Sequence, residues 1–168
     1  MAQLIKNGVA ASDSWQILEL AEGESPETVA LPDGEVIFPL AVWLARKDEI
    51  LSRPTIGLLL QPADRVEDIA GELASFALIA VNFPKFVDGR GYSTAALLRQ
   101  RYRYEGELRA VGDVLHDQLF YLKRVGFDSY ALKDGKDPAV ALQSAFATFG
   151  DAYQASTDQP QPLFRRRA

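Results

Sequence analysis

Lys85, Asp88, Arg90 and Tyr92 crowd into FPKFVDGRGYS at 83–93, interleaved with Pro84, Gly89 and Gly91, between the apolar run LIAVN and the helix-like TAALLRQRY. A guanidinium offers a planar fork of donors suited to a carboxylate, a phosphate or a sulfur oxyanion. Free backbone amides at a helix start near Ser93 would add to the stabilisation of an anion. A small-anion site is therefore one reading, with the glycines letting the backbone turn so that the charged groups face a shared cleft. The competing reading is structural: Asp88 and Arg90 pair with each other or with Asp113 and only fix the loop. DGRG lacks the spacing of a dinucleotide fingerprint and of a phosphate-binding loop with its lysine, so neither nucleotide class is supported.

Other residues able to do chemistry are few. Asp113 suits a helix cap over 113–116, and capping alone explains its type. His116, the only histidine, falls in the first turn of that helix and reads as a surface residue. One histidine among scattered carboxylates makes no metal site. Arg99, Arg101 and Arg103 suit the carbonyl end of their helix, and with Arg109 they could form a basic face. No cysteine is present, which removes disulfides, thiolate nucleophiles, redox dithiols and cysteine-held iron–sulfur clusters. No flavin or nicotinamide motif is visible, and no cofactor is expected.

The elements that must position these groups follow from periodicity. IGLLL (56–60), LIAVNF (78–83), ELRAV (107–111) and DSYAL (128–132) read as strands. VEDIAGELASF (66–76), STAALLRQRY (93–102), VLHDQLFYLKRV (114–125) and a segment near 138–153 read as helices between and after them. Alternation of this kind is the mark of a parallel sheet with crossover helices. Ser93, Asp113 and Asp137 before Pro138 are the expected caps. Ala95, Leu98 and Tyr102 share one helical face, as do Leu115, Leu119 and Leu122, and then Leu142, Ala145, Phe146, Phe149 and Tyr153. Before residue 56, QLIK and SWQILEL are expected to pair as a hairpin around NGVAASD, ESPETVALPDGE to be a loop, and PLAVWLARKDEIL (39–51) to be a helix stopped by Pro54.

The expected fold is thus α/β, with about four parallel strands in successive βα units, half-barrel-like or an open sheet, and an N-terminal β-hairpin and helix. Residues 1–55 form the hairpin and helix within the same domain, 56–155 the βα-repeat core, and 156–168 a polar tail. Four strands cannot close a barrel, so the hairpin or a homodimer should cover the open edge. Ligands of such sheets sit at the carboxyl edge, where the loops 84–92, 112–113 and 133–137 gather Lys85, Asp88, Arg90, Tyr92 and Asp113, with Lys133 and Asp134.

With 168 residues, 48% of them hydrophobic and 24% charged, the chain has enough apolar surface for a real core. A net charge of −5 argues against general nucleic-acid binding, which needs a basic surface. The longest apolar stretch, LASFALIAVNF at 73–83, falls well short of the roughly 20 residues of a membrane helix. No signal-peptide core is visible, so a cytoplasmic protein is expected. The tail DQPQPLFRRRA pairs two apolar anchors, Leu163 and Phe164, with Arg165, Arg166 and Arg167. It either docks on an acidic groove of a partner or packs back on its own domain.

Taken together, FPKFVDGRGYS, the block LLRQRYRYEGELRAVGDVLHDQLFYLKRVGFDSYAL, VIFPLAVWLA and the terminal LFRRR resemble the bacterial family of the domain of unknown function 934. Its members carry the label of an oxidoreductase involved in sulfite reduction and are encoded beside genes of sulfate and sulfite assimilation. The family motif falls here on Asp88, Gly89, Arg90, Gly91, Tyr92, Gly112, Asp113, Asp117 and Gln118, which adds Asp117 and Gln118 to the ligand-binding candidates. What the resemblance implies is a process: an accessory or adaptor that docks on sulfite reductase or its electron donor. The alternative is an enzyme or binding protein for a small sulfur oxyanion in the carboxyl-edge cleft. The chain lacks redox machinery of its own, which favours the accessory.

Overall fold

The computed structural model describes residues 4–133, 135–146 and 150–166. The structure is α/β and is organised by one mixed sheet of eight strands, curled into a half-barrel. In chain order the strands are β1 (Leu4–Lys6), β2 (Val9–Ala11), β3 (Gln16–Ile17), β4 (Val36–Pro39), β5 (Gly57–Leu60), β6 (Leu78–Phe83), β7 (Glu107–Gly112) and β8 (Ser129–Ala131). Their order across the sheet is β2-β1-β8-β7-β6-β5-β4-β3. From β3 to β8 every neighbouring pair is parallel, and β1 runs antiparallel to both β2 and β8.

Six strands run parallel, then, where about four were expected. The additional two are β3 and β4. A hairpin forms, but not from the expected pair: Asn7 and Gly8, at φ 52° and 78°, make the tight turn that joins β1 to β2. Two consecutive positive φ angles match the twist of a two-residue hairpin, and Asn-Gly is the dipeptide that adopts them most readily. Residues 16–17, assigned to the hairpin from the sequence, instead pair with β4 at the opposite edge of the sheet.

That separation dictates the curl. A flat sheet would hold β2 and β3 about 34 Å apart, seven spacings of about 4.8 Å. The five Cα steps from Ala11 to Gln16 reach about 18 Å at most. The edges must therefore bend toward each other, and the segment 12–15 must cross the concave face. Asp13 and Trp15 mark its path. Asp13 ion-pairs with Arg109 of β7, and Trp15 lies over Gly57 and Ile37, so closely that a Cβ on Gly57 would come within 2.8 Å of its ring.

Strand register sorts the side chains into two faces. Val36, Phe38, Leu58, Leu60, Ile79, Val81, Phe83, Leu108, Ala110 and Tyr130 point to the outer, helix-covered side and join the main core. Ile37, Leu59, Leu78, Ala80 and Val111 form a second, smaller apolar cluster on the concave face. Burial on both faces is why these strands read as unbroken apolar runs in the sequence.

The helices are α1 (Leu40–Ala45), α2 (Lys47–Leu51), α3 (Arg90–Ala96), α4 (Leu119–Val125), α5 (Pro138–Ser144) and α6 (Leu163–Arg166). The expected helix over 39–51 is split at Arg46 into α1 and α2. The expected helix over 66–76 is two 3₁₀ turns, Val66–Ile69 and Leu73–Ser75, with Gly71, a poor helix residue, between them. Helix α3 begins three residues before Ser93 and continues as a π turn over Leu97–Arg101. Asp137 caps α5 by accepting the Ala139 N–H at 2.8 Å. Ala95, Leu98, Leu119, Leu122, Ala141 and Ala145 are buried against the sheet, whereas Tyr153 is exposed. Phe149 lies outside the described residues. Among the described residues no helix is long and apolar enough to cross a membrane.

Candidate functional site

The carboxyl edge of the sheet does gather chemistry, arranged differently from the expectation. The chain leaves β6 through a turn in which Asp88 N–H donates to the Lys85 carbonyl at 2.9 Å. Asp88 then accepts the Arg90 N–H at 3.2 Å and pairs with its guanidinium at 2.7 and 3.0 Å. By taking up the free amide at the start of α3, Asp88 does what Ser93 was expected to do, and the helix starts earlier. The Arg90 bonds hold the Asp88 carboxyl below its usual value. Gly89 and Gly91 need no positive φ. Gly91 answers to space, since a Cβ there would come 2.6 Å from the Phe83 ring.

Asp113 caps no helix. The next turn starts only at His116, with Leu115 at its N-cap. The Asp113 carboxylate instead accepts the Phe86 N–H at 3.2 Å and pairs with Lys133 at 2.8 Å, and the Lys133 ammonium holds its carboxyl below the usual value. Among the described residues it therefore joins loop 84–89 to the end of β8, while Arg90 is engaged by Asp88. Tyr92 is half-buried, accepts a hydrogen bond from the Gln118 side chain at 3.4 Å, and packs on Phe83 and Tyr121. Burial raises its hydroxyl pKa. Gln118 is buried and accepts the Leu115 N–H at 2.9 Å, while Asp117, His116 and Lys85 are exposed. Arg90 has 62% of its side-chain surface in solvent, so Arg90→Ala should leave the melting temperature unchanged. A fall of several degrees would mean that the loop depends on this pair.

The tail lies back on its own domain. Ser156 and Thr157 hydroxyls donate to the carbonyls of Arg124 and Val125 at the end of α4, at 2.6 and 3.2 Å. Leu163 is half-buried, Phe164 is 60% exposed with Arg165 over its ring, and Arg166 pairs with Asp151 at 2.8 Å. Arg167 and Asp134 lie outside the described residues.

A second set of groups lies on the concave face, and of these the sequence pointed only to Arg109, as part of a basic face with Arg99, Arg101 and Arg103. Arg109 is 2% exposed. It grips Asp13 through one terminal nitrogen at 2.8 and 2.9 Å. Its Nε and other terminal nitrogen reach Glu107 at 2.9 and 2.7 Å, and Lys6 closes the group on Glu107 at 2.5 Å. Burial would raise the Glu107 carboxyl, but Lys6 and Arg109 outweigh it and hold it below its ordinary value. No basic face therefore joins Arg109 to the π turn. Arg99 there is tied to Asp128 at 2.7 Å and to the carbonyls of Tyr104, Gly106 and Gly126. A signal existed in ELRAV: Glu107 and Arg109 stand at i and i+2 in a strand expected to be buried on both faces, and buried charges need partners.

Trp15, Asp13 and Arg109 form one wall of the open space on the concave face. That space holds two cavities of about 630 and 540 Å³, which share Ile17, Glu19, Val111 and Gly112. The larger is floored by Leu59, Val111 and Pro39 and rimmed by Glu19, Gln61, Asp64 and Asn82. Asn82 donates to the Gln61 side-chain oxygen at 2.8 Å, and Asp64 accepts the Gln61 N–H at 2.7 Å. Burial raises the Asp64 carboxyl, Asp68 adds to the rise, and the Gln61 N–H opposes it. Gly112 holds the rim in place: at φ 94° it turns the chain at the end of β7 directly against Asn82. Among the described residues no group of three or more His, Cys, Asp or Glu side chains could hold a metal ion.

Comparison with the curated proteins gives no match. The pattern of a bacterial protein family of unknown function, DUF934, matches residues 57–164, from the start of β5 into α6, and the chain belongs to that family.

Proposed function

We propose that the protein is a non-catalytic docking element of assimilatory sulfite reduction in the cytoplasm, which engages sulfite reductase or its electron donor through loop 84–90. The observation that carries this reading is the tip of that loop, where Phe86 and Val87 are 48% and 83% exposed. The loop is braced from both sides, by Asp113 on the Phe86 N–H and by Asp88 on the Arg90 backbone N–H. Apolar side chains presented on a braced loop lose little entropy on binding, and such anchors carry most of the energy of an interface. Lys85 beside them suits an apolar pocket with an acidic rim. Phe164, flanked by Arg165 and Arg166, supplies a second exposed anchor of the same character. The process itself comes from the family resemblance of the motifs around this loop.

Tagged protein recovered from cells grown on sulfate as sole sulfur source tests the reading. The parent should elute with sulfite reductase or its electron donor. The Phe86→Asp/Val87→Asp double variant, melting at the same temperature, should bind that partner roughly 100-fold more weakly, at about 1.4 kcal/mol per anchor. Elution of the parent alone across several salt concentrations, together with turnover of a sulfur oxyanion by the pure protein, would favour the enzyme alternative. The same chromatography reads whether two copies pair through the exposed β2 edge.

A further inference from the structure

The larger concave cavity carries an inference independent of the docking role. It lies on the concave face of a curled parallel sheet, at the carboxyl ends of β4–β7, which is where α/β folds of this kind place ligands. Its floor is apolar: Leu59, Val111, Pro39 and Ala41 line it. Its rim is polar and ordered. The Asn82 amide donates to the Gln61 side-chain oxygen, which leaves the Gln61 amide N–H groups and the Asn82 side-chain oxygen as donors and acceptor at the rim. Asp64 and Glu19 supply carboxylates, and no lysine or arginine is among the residues lining this cavity. Arg109 and Lys133 line the neighbouring cavity and not this one, and each is already ion-paired.

An anion entering here would meet two carboxylates and no counter-charge, and its desolvation would go uncompensated. A cation would find the reverse. We infer that this cavity binds a small organic cation, its apolar body seated on Leu59 and Val111 and its amino or amidinium group held by Asp64 and Glu19 beside the Gln61–Asn82 amide pair. The volume of about 630 Å³ is within the range of small-molecule sites, and an apolar floor with a few convergent polar groups is their usual composition. The inference separates this site from the sulfur-oxyanion alternative, which requires the opposite lining.

Benzamidine serves as the probe, because it joins an apolar ring to a planar cation with several N–H donors. Benzoate is its anionic counterpart of similar size, and sulfate stands for an oxyanion. In a titration of the full chain followed by amide NMR, benzamidine should shift the Gln61, Asn82 and Gly112 resonances and saturate in the millimolar range expected of a small fragment. Benzoate and sulfate should leave those resonances in place. A Glu19→Gln/Asp64→Asn variant should weaken benzamidine at least tenfold, and the contrast between benzamidine and benzoate on the parent decides the matter even if that variant fails to fold. The inference is overturned if benzoate or sulfate moves the same resonances as strongly, if benzamidine does not move them, or if a folded double variant binds benzamidine as tightly as the parent.

Discussion

Arg109→Met should lower the unfolding free energy by about 3–5 kcal/mol, the range for breaking a buried ion pair by removal of one partner. In a chain of this size that corresponds to a fall in melting temperature of roughly 10 °C. The guanidinium is 2% exposed and neutralises two carboxylates whose side chains are each only 9% exposed. Glu107 keeps Lys6 after the substitution. Among the described residues Asp13 keeps only the Trp15 N–H at 3.2 Å, so most of the loss should come from Asp13 stranded on the concave face. Removing that charge as well, in Asp13→Leu/Arg109→Met, should recover a large part of the stability, and a double-mutant cycle reads the coupling directly. Acid sharpens the test. Glu107 has a folded value held below the ordinary 4.5, so the unfolded chain binds more protons as the pH falls below about 4.5. The contribution of Glu107 is present above that pH and lost as the pH drops through its folded value. In Arg109→Met the hold on Glu107 weakens and the acid loss becomes shallower. A urea-unfolding loss below about 1 kcal/mol for the single variant would show that water replaces Arg109 without difficulty, and that the buried group does not tie segment 12–15 to the sheet.

Gly112→Ala should cost about 2–4 kcal/mol, from two sources that can be measured separately. One is the backbone, since φ is 94°, a conformation L side chains rarely adopt. The other is space: a Cβ would come 2.5 Å from both the Asn82 side-chain oxygen and the Phe83 carbonyl oxygen. The carbonyl belongs to the adjacent strand and cannot move aside without disturbing β6, which makes this an overpacking cost of the kind seen in well-filled cores. Gly34→Ala is the control, because Gly34 has a similar φ of 88° and nothing within 4 Å of its would-be Cβ. It should cost only about 1 kcal/mol, and the difference between the two variants isolates the clash. Gly112→Ala should also shift Asn82 away from Gln61 and weaken benzamidine binding. Equal effects of the two alanines on stability would show that the contact with β6 is relieved by a small local movement.

The sequence alone carried the strands β5 to β8 and the class of the fold, because a strand buried on both faces is a run of apolar residues whatever its neighbours are. It also carried the cap at Asp137, which depends on groups within a few residues of each other, and a hairpin leaving QLIK, though with a loop over NGVAASD and SWQILEL as its second strand in place of the Asn7–Gly8 turn into β2. Strands β3 and β4 did not show in the same way. SWQILEL reads as a strand and covers β3, but its partner lies at the far edge of the sheet and not in the hairpin, and β4 runs directly into α1 at Leu40, so that VIFPLAVWLA reads as one apolar stretch. The loop after β6 was legible as a place for charged residues, and the pairing of Asp88 with Arg90 was one of the readings the sequence offered, but the other partners were not legible: Asp113 turned to Phe86 and Lys133, and Asp88 also took the helix start. Such choices depend on distances between segments that meet only after the strands have paired. The same holds for the concave face. Asp13 and Arg109 are 96 residues apart in the chain, and what brings them together is the short segment 12–15, which cannot span a flat sheet. Its length forces the curl, and the curl creates both the buried charged group and the open cavity beside it.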